Sequence, residues 1–374
     1  MDAEVAIVGA GVVGAATALA LARRDVSVLL LEAEPEPGLA ASGTNSGILH
    51  TGFDSVPGEL ETELILRSAA LRDPVLGALR VPVLRCGARL RPRDPRHDVV
   101  GALAANAERN GVEVLLRRDG ALKVPGEAVT DPVAHTLALA LAAGRHSADL
   151  RTGFRVTAIR RDEGGVMLES AGGDTVRARL VVNCAGLHAD TVARLAGDDS
   201  FEIYPRKGEF LVFDPPDGER LERILLPAPT ERTKGVLVFP TVDGKVIAGP
   251  TAVDQGDKRD WSARPGAGQE IHLQATAMWP ALEGAEPIAA YAGLRPAGRG
   301  VNYLIEASRE CSALVNVAAI RSTGLTASLG IAEYVCGLVQ RLGVGLRPER
   351  PLEPGATPRS QVPWWRRAAE HGAP

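Results

Sequence analysis

The first thirty-two residues constrain the chain most. Ala3-Glu4-Val5-Ala6-Ile7-Val8 is a short apolar run suited to a buried strand, and it breaks at Gly9-Ala10-Gly11-Val12-Val13-Gly14. A helical stretch follows from Val13 to about Arg24, and a second apolar run, Val26 to Leu31, ends at the carboxylate Glu32. Strand, glycine-rich turn, helix, strand and acid is the order of a nucleotide-binding βαβ unit. Gly9 permits the tight turn, Gly11 lets a pyrophosphate approach the backbone, and Gly14 lets the helix pack closely. The helix N-terminus offers N–H groups and a positive dipole end to phosphates. Glu32 can accept hydrogen bonds from both ribose hydroxyls, and its charge disfavours a 2′-phosphate. The motif alone leaves NAD and FAD both open.

A length of 374 residues suggests about two domains and a large buried core. With 24% charged residues and a net charge of −4, nothing marks a nucleic-acid partner. The apolar runs are too short or too interrupted for a transmembrane segment, and the N-terminus enters a strand without the basic region of a secretion signal. The four cysteines, Cys86, Cys184, Cys311 and Cys336, are scattered, so neither a metal site nor a disulfide framework is expected. A cytoplasmic location is expected, with peripheral membrane contact as the lesser reading.

After Glu32 comes a loop with two prolines, then Ala41 to Asp54, dense in Ser, Thr, Asn and Gly and carrying His50. Such a loop suits close contact with phosphates and a planar ring. A helix is expected from Glu59 to about Leu71. Residues 81–129 mix short strands with an Ala-rich helix from Val99 to Asn110. Asp131-Pro132 begins another helix, with Asp131 as N-cap and Pro132 at its first position. Strands follow over Phe154–Arg160, Val166–Ser170 and Val176–Asn183, the last ending at Cys184-Ala185-Gly186 before a helix. From Tyr204 to Ile305 strands dominate, with a hairpin across Val242-Asp243-Gly244. Ala313–Ile320 reads as a strand, Arg321–Thr326 as a turn, and Ala327 to about Arg341 as an apolar helix. Beyond Gly345 the Pro- and Arg-rich chain, with its Trp364-Trp365-Arg366-Arg367, reads as a poorly ordered tail.

Four blocks in order, Gly9 to Glu32, Ser42 to His50, Asn183 to Gly186 and Arg321 to Thr326, resemble the FAD-dependent D-amino-acid-oxidase-like superfamily. Ser42-Gly43-Thr44-Asn45-Ser46-Gly47-Ile48-Leu49-His50-Thr51-Gly52, then Pro57-Gly58 and Gly293-Leu294-Arg295-Pro296, resemble its branch of glycerol-3-phosphate dehydrogenases or oxidases and L-2-hydroxyglutarate dehydrogenases. The fold class implied is an α/β FAD-binding Rossmann-like domain plus an α+β substrate domain with a mainly antiparallel sheet. The expected division is 1–78, 131–198 and 310–345 for the FAD-binding domain, 79–130 and 199–309 for the substrate domain, and 346–374 for the tail. The resemblance implies that Gly9, Gly11 and Gly14 hold the pyrophosphate and Glu32 the adenosine ribose. It further implies that Ser42, Thr44, Asn45 and Ser46 line the cofactor and that Val156 lies by the adenine. Ala185 and Gly186 would approach the cofactor, and Gly324, Leu325 and Thr326 the flavin's pyrimidine end.

Oxidising a secondary alcohol requires a hydride acceptor and a base for the hydroxyl proton. His50, which directly follows the cofactor loop, is the candidate, against a histidine that only hydrogen-bonds the flavin or packs the loop. His97, His135, His146 and His272 read as structural, and His188 as packing at a helix start. An anionic substrate needs a cation. Arg295 is the first candidate, because a guanidinium can grip a carboxylate or phosphate bidentately. Lys234 and Arg321 follow, while Lys207 and Lys258 read as solvated. No cysteine is evident for covalent flavin attachment, so FAD is expected to be noncovalent, and the chain lacks the cysteines of an iron–sulfur module. The expected function is oxidation of a small anionic 2-hydroxy substrate, glycerol 3-phosphate ahead of L-2-hydroxyglutarate. Amine oxidation of a small amino acid and a non-catalytic FAD-binding protein are the alternatives. The electron acceptor stays open among oxygen, quinone and an electron-transfer protein.

Overall fold

The computed structural model describes residues 1–91, 99–216, 218–229, 235–355, 360 and 362–371. Its cofactor sheet grows outward from the opening strand, Ala3–Val8, whose apolar run lies between two parallel neighbours and is almost wholly buried. On one side stands Val28–Leu31, followed by Asp149–Arg151. On the other stands Thr175–Asn183, which pairs in parallel with both Ala3–Val8 and Leu314–Ala318. A meander over Val156–Asp162 and Gly165–Ser170 extends one edge of the sheet. Asn183 and Asn316 meet in register, and their amides hydrogen-bond at 2.9 Å in the dry interior. The remaining amide donors are used by the Ala189 carbonyl and the Asp198 carboxylate, so this polar pair is compatible with burial.

One face is covered by the helices Val12–Ala22, Pro132–Arg145 and Gly324–Arg341, which share one apolar core with the sheet. Asp131 caps the second of these, accepting from the Val133 and Ala134 N–H groups, with Pro132 in the first turn. The opening helix begins at Val12, one residue earlier than expected, because Gly11 already takes the extended N-cap conformation.

A second sheet is mixed. Ala88–Arg91 and Ile224–Pro227 pair in parallel, whereas Ile203–Phe213, Leu237–Pro240, Val246–Gly249 and Ala289–Gly298 pair antiparallel. Ile203–Phe213 and Ala289–Gly298 run side by side for ten paired residues and place Arg295 opposite Arg206. A small third sheet, Ile48–Leu49, Val83–Leu84 and Ala128–Thr130, sits at the junction and carries the His50 loop.

Three expectations are corrected. Leu304–Ala307 lies before the expected boundary at 310, yet it pairs with Leu314–Ala318 and so belongs to the cofactor sheet. Among the short strands expected within 81–129, the first after the Ala-rich helix is confined to Leu115–Leu116. The described part of the tail is docked rather than loose. Arg347 and Arg350 donate backbone hydrogen bonds to Arg24 and Arg23, and Trp364–His371 is a helix packed on Ala289–Gly298. Trp364 and Trp365 are buried, and removing two indoles from water favours docking of a segment whose composition otherwise suggests a linker. Among the described residues no helix is long and apolar enough to cross a membrane.

Candidate functional site

A cleft of about 750 Å³ runs along the ends of the parallel strands, where Gly9, Glu32, Cys184 and Ala319 emerge. Of the residues singled out in the sequence, Gly9, Gly11, Glu32, Ser42, Asn45, Val156, Ala185, Gly186, Arg321, Gly324 and Leu325 form its wall. The backbone is cut to a cradle. Gly9 has φ +102°, and a Cβ there would lie 2.5 Å from the Cys184 carbonyl oxygen. A Cβ on Gly14 would overlap the Gly9 carbonyl oxygen, so the opening helix can reach the strand only through glycine. A Cβ on Gly11 would meet only Ser42 Oγ, at 3.2 Å. That serine also accepts a hydrogen bond from the Val12 N–H at 3.0 Å, tying the second loop to the first.

Glu32 binds the glycine loop as well as facing the cleft. Its Oε2 accepts from the Ala10 N–H at 2.7 Å, and its Oε1 accepts from Glu34 at 3.0 Å. Burial raises its pKa above the usual carboxylate range, against the lowering effect of those two N–H groups. Each oxygen keeps a further lone pair for a ribose hydroxyl. At the far end, the helix Gly324–Arg341 begins in the wall with no side-chain cap, because the Thr323 hydroxyl donates instead to Glu61 at 2.6 Å. Its dipole therefore presents partial positive charge at the position expected for the flavin's pyrimidine end. A glycine cradle, a ribose acid and an uncapped helix along one cleft fit an extended dinucleotide carrying a flavin.

Three expected cofactor contacts shape the site from behind its wall. Thr44 is buried, its hydroxyl donates to the Ala40 carbonyl, and its own carbonyl packs against Gly293, where a Cβ would come within 2.7 Å. The Ser46 hydroxyl bridges Asn45 and the Ile48 N–H. Thr326 Oγ1 accepts from the His50 N–H at 3.1 Å. These hydroxyls are consumed in holding a loop that must otherwise be short of backbone partners.

His50 belongs to a buried network that the sequence did not reveal. Its Nδ1 lies 3.0 Å from Oε2 of Glu127, whose side chain is 0% exposed. The other oxygen, Oε1, accepts from Thr51 N at 2.7 Å and Thr51 Oγ1 at 2.9 Å. Gly126 makes this close approach possible, since a Cβ there would lie 2.8 Å from Thr51 Cγ2. An ionised carboxylate only accepts, so a neutral imidazole facing it carries its proton on Nδ1 and leaves the lone pair on Nε2. Arg72 Nη1 donates to the His50 carbonyl at 3.2 Å, and the Glu127 carboxylate raises the Arg72 pKa against a larger lowering by burial. Histidine, orienting carboxylate and fixed backbone hold the imidazole in one orientation.

Arg295 is pinned by carbonyls rather than by an acid. Its Nε donates to Arg206 at 3.0 Å, and its Nη2 donates to Lys207 and Thr251 at 3.0 and 2.8 Å. Burial depresses its pKa to about 10. Nη1 makes no hydrogen bond among the described residues. A Cβ on Gly208 would intrude to 3.1 Å from the guanidinium, so that glycine makes room for it. Arg321 is half-exposed in the cleft wall and lies 3.6 Å from Glu61. Lys234 falls outside the described residues. Two lysines expected to be solvated are not. Lys207 is buried and donates to Asp260 at 2.8 Å and to the Ser262 carbonyl, because its strand is covered on both faces. Lys258 donates to both oxygens of Asp190, at 2.7 and 2.8 Å. His188, for which the sequence favours packing at a helix start over a place near the cofactor, reaches the cleft wall. Among the described residues no three His, Cys, Asp or Glu gather as a metal site.

Residues 4–338 match the family model described as FAD dependent oxidoreductase (DAO). The chain is 29% identical to a glycerol 3-phosphate dehydrogenase of Caloramator mitchellensis, over 94% of this chain and 76% of that protein. It is 28% identical to a glycerol 3-phosphate oxidase of Mycoplasma pneumoniae, over 90% of this chain and 94% of that one. The dithionite-reduced, FAD-bound L-alpha-glycerophosphate oxidase of Mycoplasma pneumoniae superposes with a TM-score of 0.88 at 25% identity, over 96% of this chain and 99% of that chain.

Proposed function

Since the chain belongs to the DAO family of FAD-dependent oxidoreductases, we propose that it oxidises the secondary hydroxyl of glycerol 3-phosphate, with His50 as base and Arg295 as the substrate's cationic anchor. The observation that carries this reading is the His50–Glu127 pair. Bound FAD supplies the hydride acceptor. His50 Nε2 takes the hydroxyl proton, and the imidazolium that results is stabilised by Glu127, which already holds Nδ1. Thr51 fixes that carboxylate through two hydrogen bonds, so its charge is in place before substrate arrives. Arg295 presents Nη1 while three carbonyls hold the rest of its fork, which suits the phosphate or carboxylate of a small anionic substrate. Arg321 is a second cation for the same group. The relatives named for glycerol 3-phosphate support this substrate over L-2-hydroxyglutarate.

The domain division follows the sheets. The cofactor unit gathers 1–78, 131–198 and 304–345, and the mixed sheet, with the helix Trp364–His371 packed on it, carries the substrate. The reading includes noncovalent FAD and a cytoplasmic location, with oxygen, quinone or an electron-transfer protein as final acceptor.

The test is anaerobic mixing of the oxidised holoenzyme with glycerol 3-phosphate, L-2-hydroxyglutarate and small amino acids, read by flavin absorbance near its visible maximum. Bleaching by glycerol 3-phosphate supports the proposal. Bleaching by an amino acid alone, or by none of the panel, overturns it.

A further inference from the structure

The adenosine end of the cleft is walled by two rings that come from distant parts of the chain. Beyond Glu32 the wall continues through Glu34, Arg155 and Val156, and with them stand Trp261 and His371. The two rings meet edge-on, with centroids 4.7 Å apart and planes at 73°. His371 is the last residue of the helix Trp364–His371. Burial lowers its pKa, and the Glu34 carboxylate acts on it in the opposite sense, which sets the imidazole beside the acid that follows the ribose-binding Glu32.

Both rings are positioned by contacts that need no ligand. Trp365 Nε1 donates to Asp243 Oδ2 at 2.8 Å, and Trp364 packs edge-on against Tyr291. Arg367 pairs with Glu36 at 3.1 Å, joining the helix to the loop after Glu32. Trp261 sits between Asp260 and Ser262, and buried Lys207 donates to both of those neighbours. The rings themselves are only partly covered, so aromatic surface faces the cleft where the glycine cradle and Glu32 direct the adenosine half.

We propose that Trp261 and His371 form an aromatic wall for the adenine of FAD, and that the C-terminal helix is a latch holding the adenosine half of the cofactor. Adenine offers a broad π-face, and a preplaced aromatic side chain gains contact with it at little ordering cost. The mixed sheet supplies Tyr291 and its loops supply Trp261 and Asp243, so cofactor retention is coupled to docking of that sheet.

The test uses holoenzyme variants and follows release of FAD on dilution by the rise in flavin fluorescence, with the melting temperature at saturating FAD as a fold control. Trp261→Ala and His371→Ala are each expected to release FAD about tenfold faster, the range found when an aromatic partner of a base is truncated. Trp261→Phe, which keeps a ring, should stay within about twofold of the parent. Release from both alanine variants at the parent rate overturns the proposal. So does a Trp261→Leu variant that holds FAD as well as the parent, since an apolar side chain would then suffice without a ring.

Discussion

Replacing Glu127 by Gln tests the catalytic reading at its most specific point. The side chains are nearly the same size, so the pocket keeps its shape. The amide oxygen can replace Oε1, which takes two hydrogen bonds from Thr51. The amide NH2 then falls at the place of Oε2, 3.0 Å from His50 Nδ1. Two donors cannot face each other, so the imidazole must present its Nδ1 lone pair and move its proton to Nε2. The base is thereby filled in its resting state. A general base contributes roughly 10²- to 10⁴-fold, and flavin reduction by glycerol 3-phosphate should slow by about that factor. Anaerobic stopped-flow absorbance measures this step apart from reoxidation. FAD affinity should not move, because Glu127, like His50 and Arg295, is outside the cleft wall. Groups acting as a unit are not additive, so Glu127→Gln with His50→Gln should be no slower than the slower single variant. Alanine would be a poorer probe, since it strands the Thr51 N–H at a cost of about 1–3 kcal/mol. Reduction of the Glu127→Gln enzyme at the parent rate would refute the assignment of His50 as an oriented base.

Other consequences are measurable. Arg295→Lys loses a fork held by three carbonyls, and KM for glycerol 3-phosphate should rise by about 10- to 100-fold, with FAD content unchanged. Gly14→Ala should yield protein without flavin or no soluble protein, as read by the ratio of visible to ultraviolet absorbance, because the added methyl overlaps the Gly9 carbonyl. Trp364→Ala should cost about 3–5 kcal/mol in urea unfolding, since its indole is 2% exposed. His135 is buried with both ring nitrogens unpartnered among the described residues, and burial depresses its pKa from 6.5 to about 3. Between those values the unfolded chain binds a proton that the folded chain refuses, so stability is lost as pH falls from 6.5 towards 3. From pH 6.5 to pH 5 that loss amounts to about 2 kcal/mol. His135→Leu should flatten this part of the curve of melting temperature against pH.

The opening βαβ unit was readable because strand, turn and helix are each written within a few neighbouring residues. The same holds for the Asp131-Pro132 helix start. Glu127 was not readable in this way. A lone acid between Gly126 and Ala128 has no local sign of its partner 77 residues away. The useful signal would have been the acid itself, set in the apolar run Val124 to Val129 where a charge needs compensation. Lys207 was misread because alternation assumes one wet face, while Ile203–Phe213 has strands on both edges and packing on both sides. The helix Trp364–His371 has only eight residues, too few for periodicity to stand out after a Pro- and Arg-rich approach.

The order of the parallel strands also sets a timetable for synthesis. Ala3–Val8 leaves the ribosome early, but one neighbour, Thr175–Asn183, follows roughly 170 residues later, and Leu314–Ala318 later still. At about 5–20 residues per second, the opening strand waits on the order of ten seconds or more for its first long-range partner and longer for the helix that completes the flavin end. During that interval Val5, Ala6 and Ile7 can pair only with Val28–Leu31, and the other edge of the strand stays open. A nascent chain of this design therefore depends on shielding of its first strand, and FAD can be loaded only after nearly the whole polypeptide has emerged.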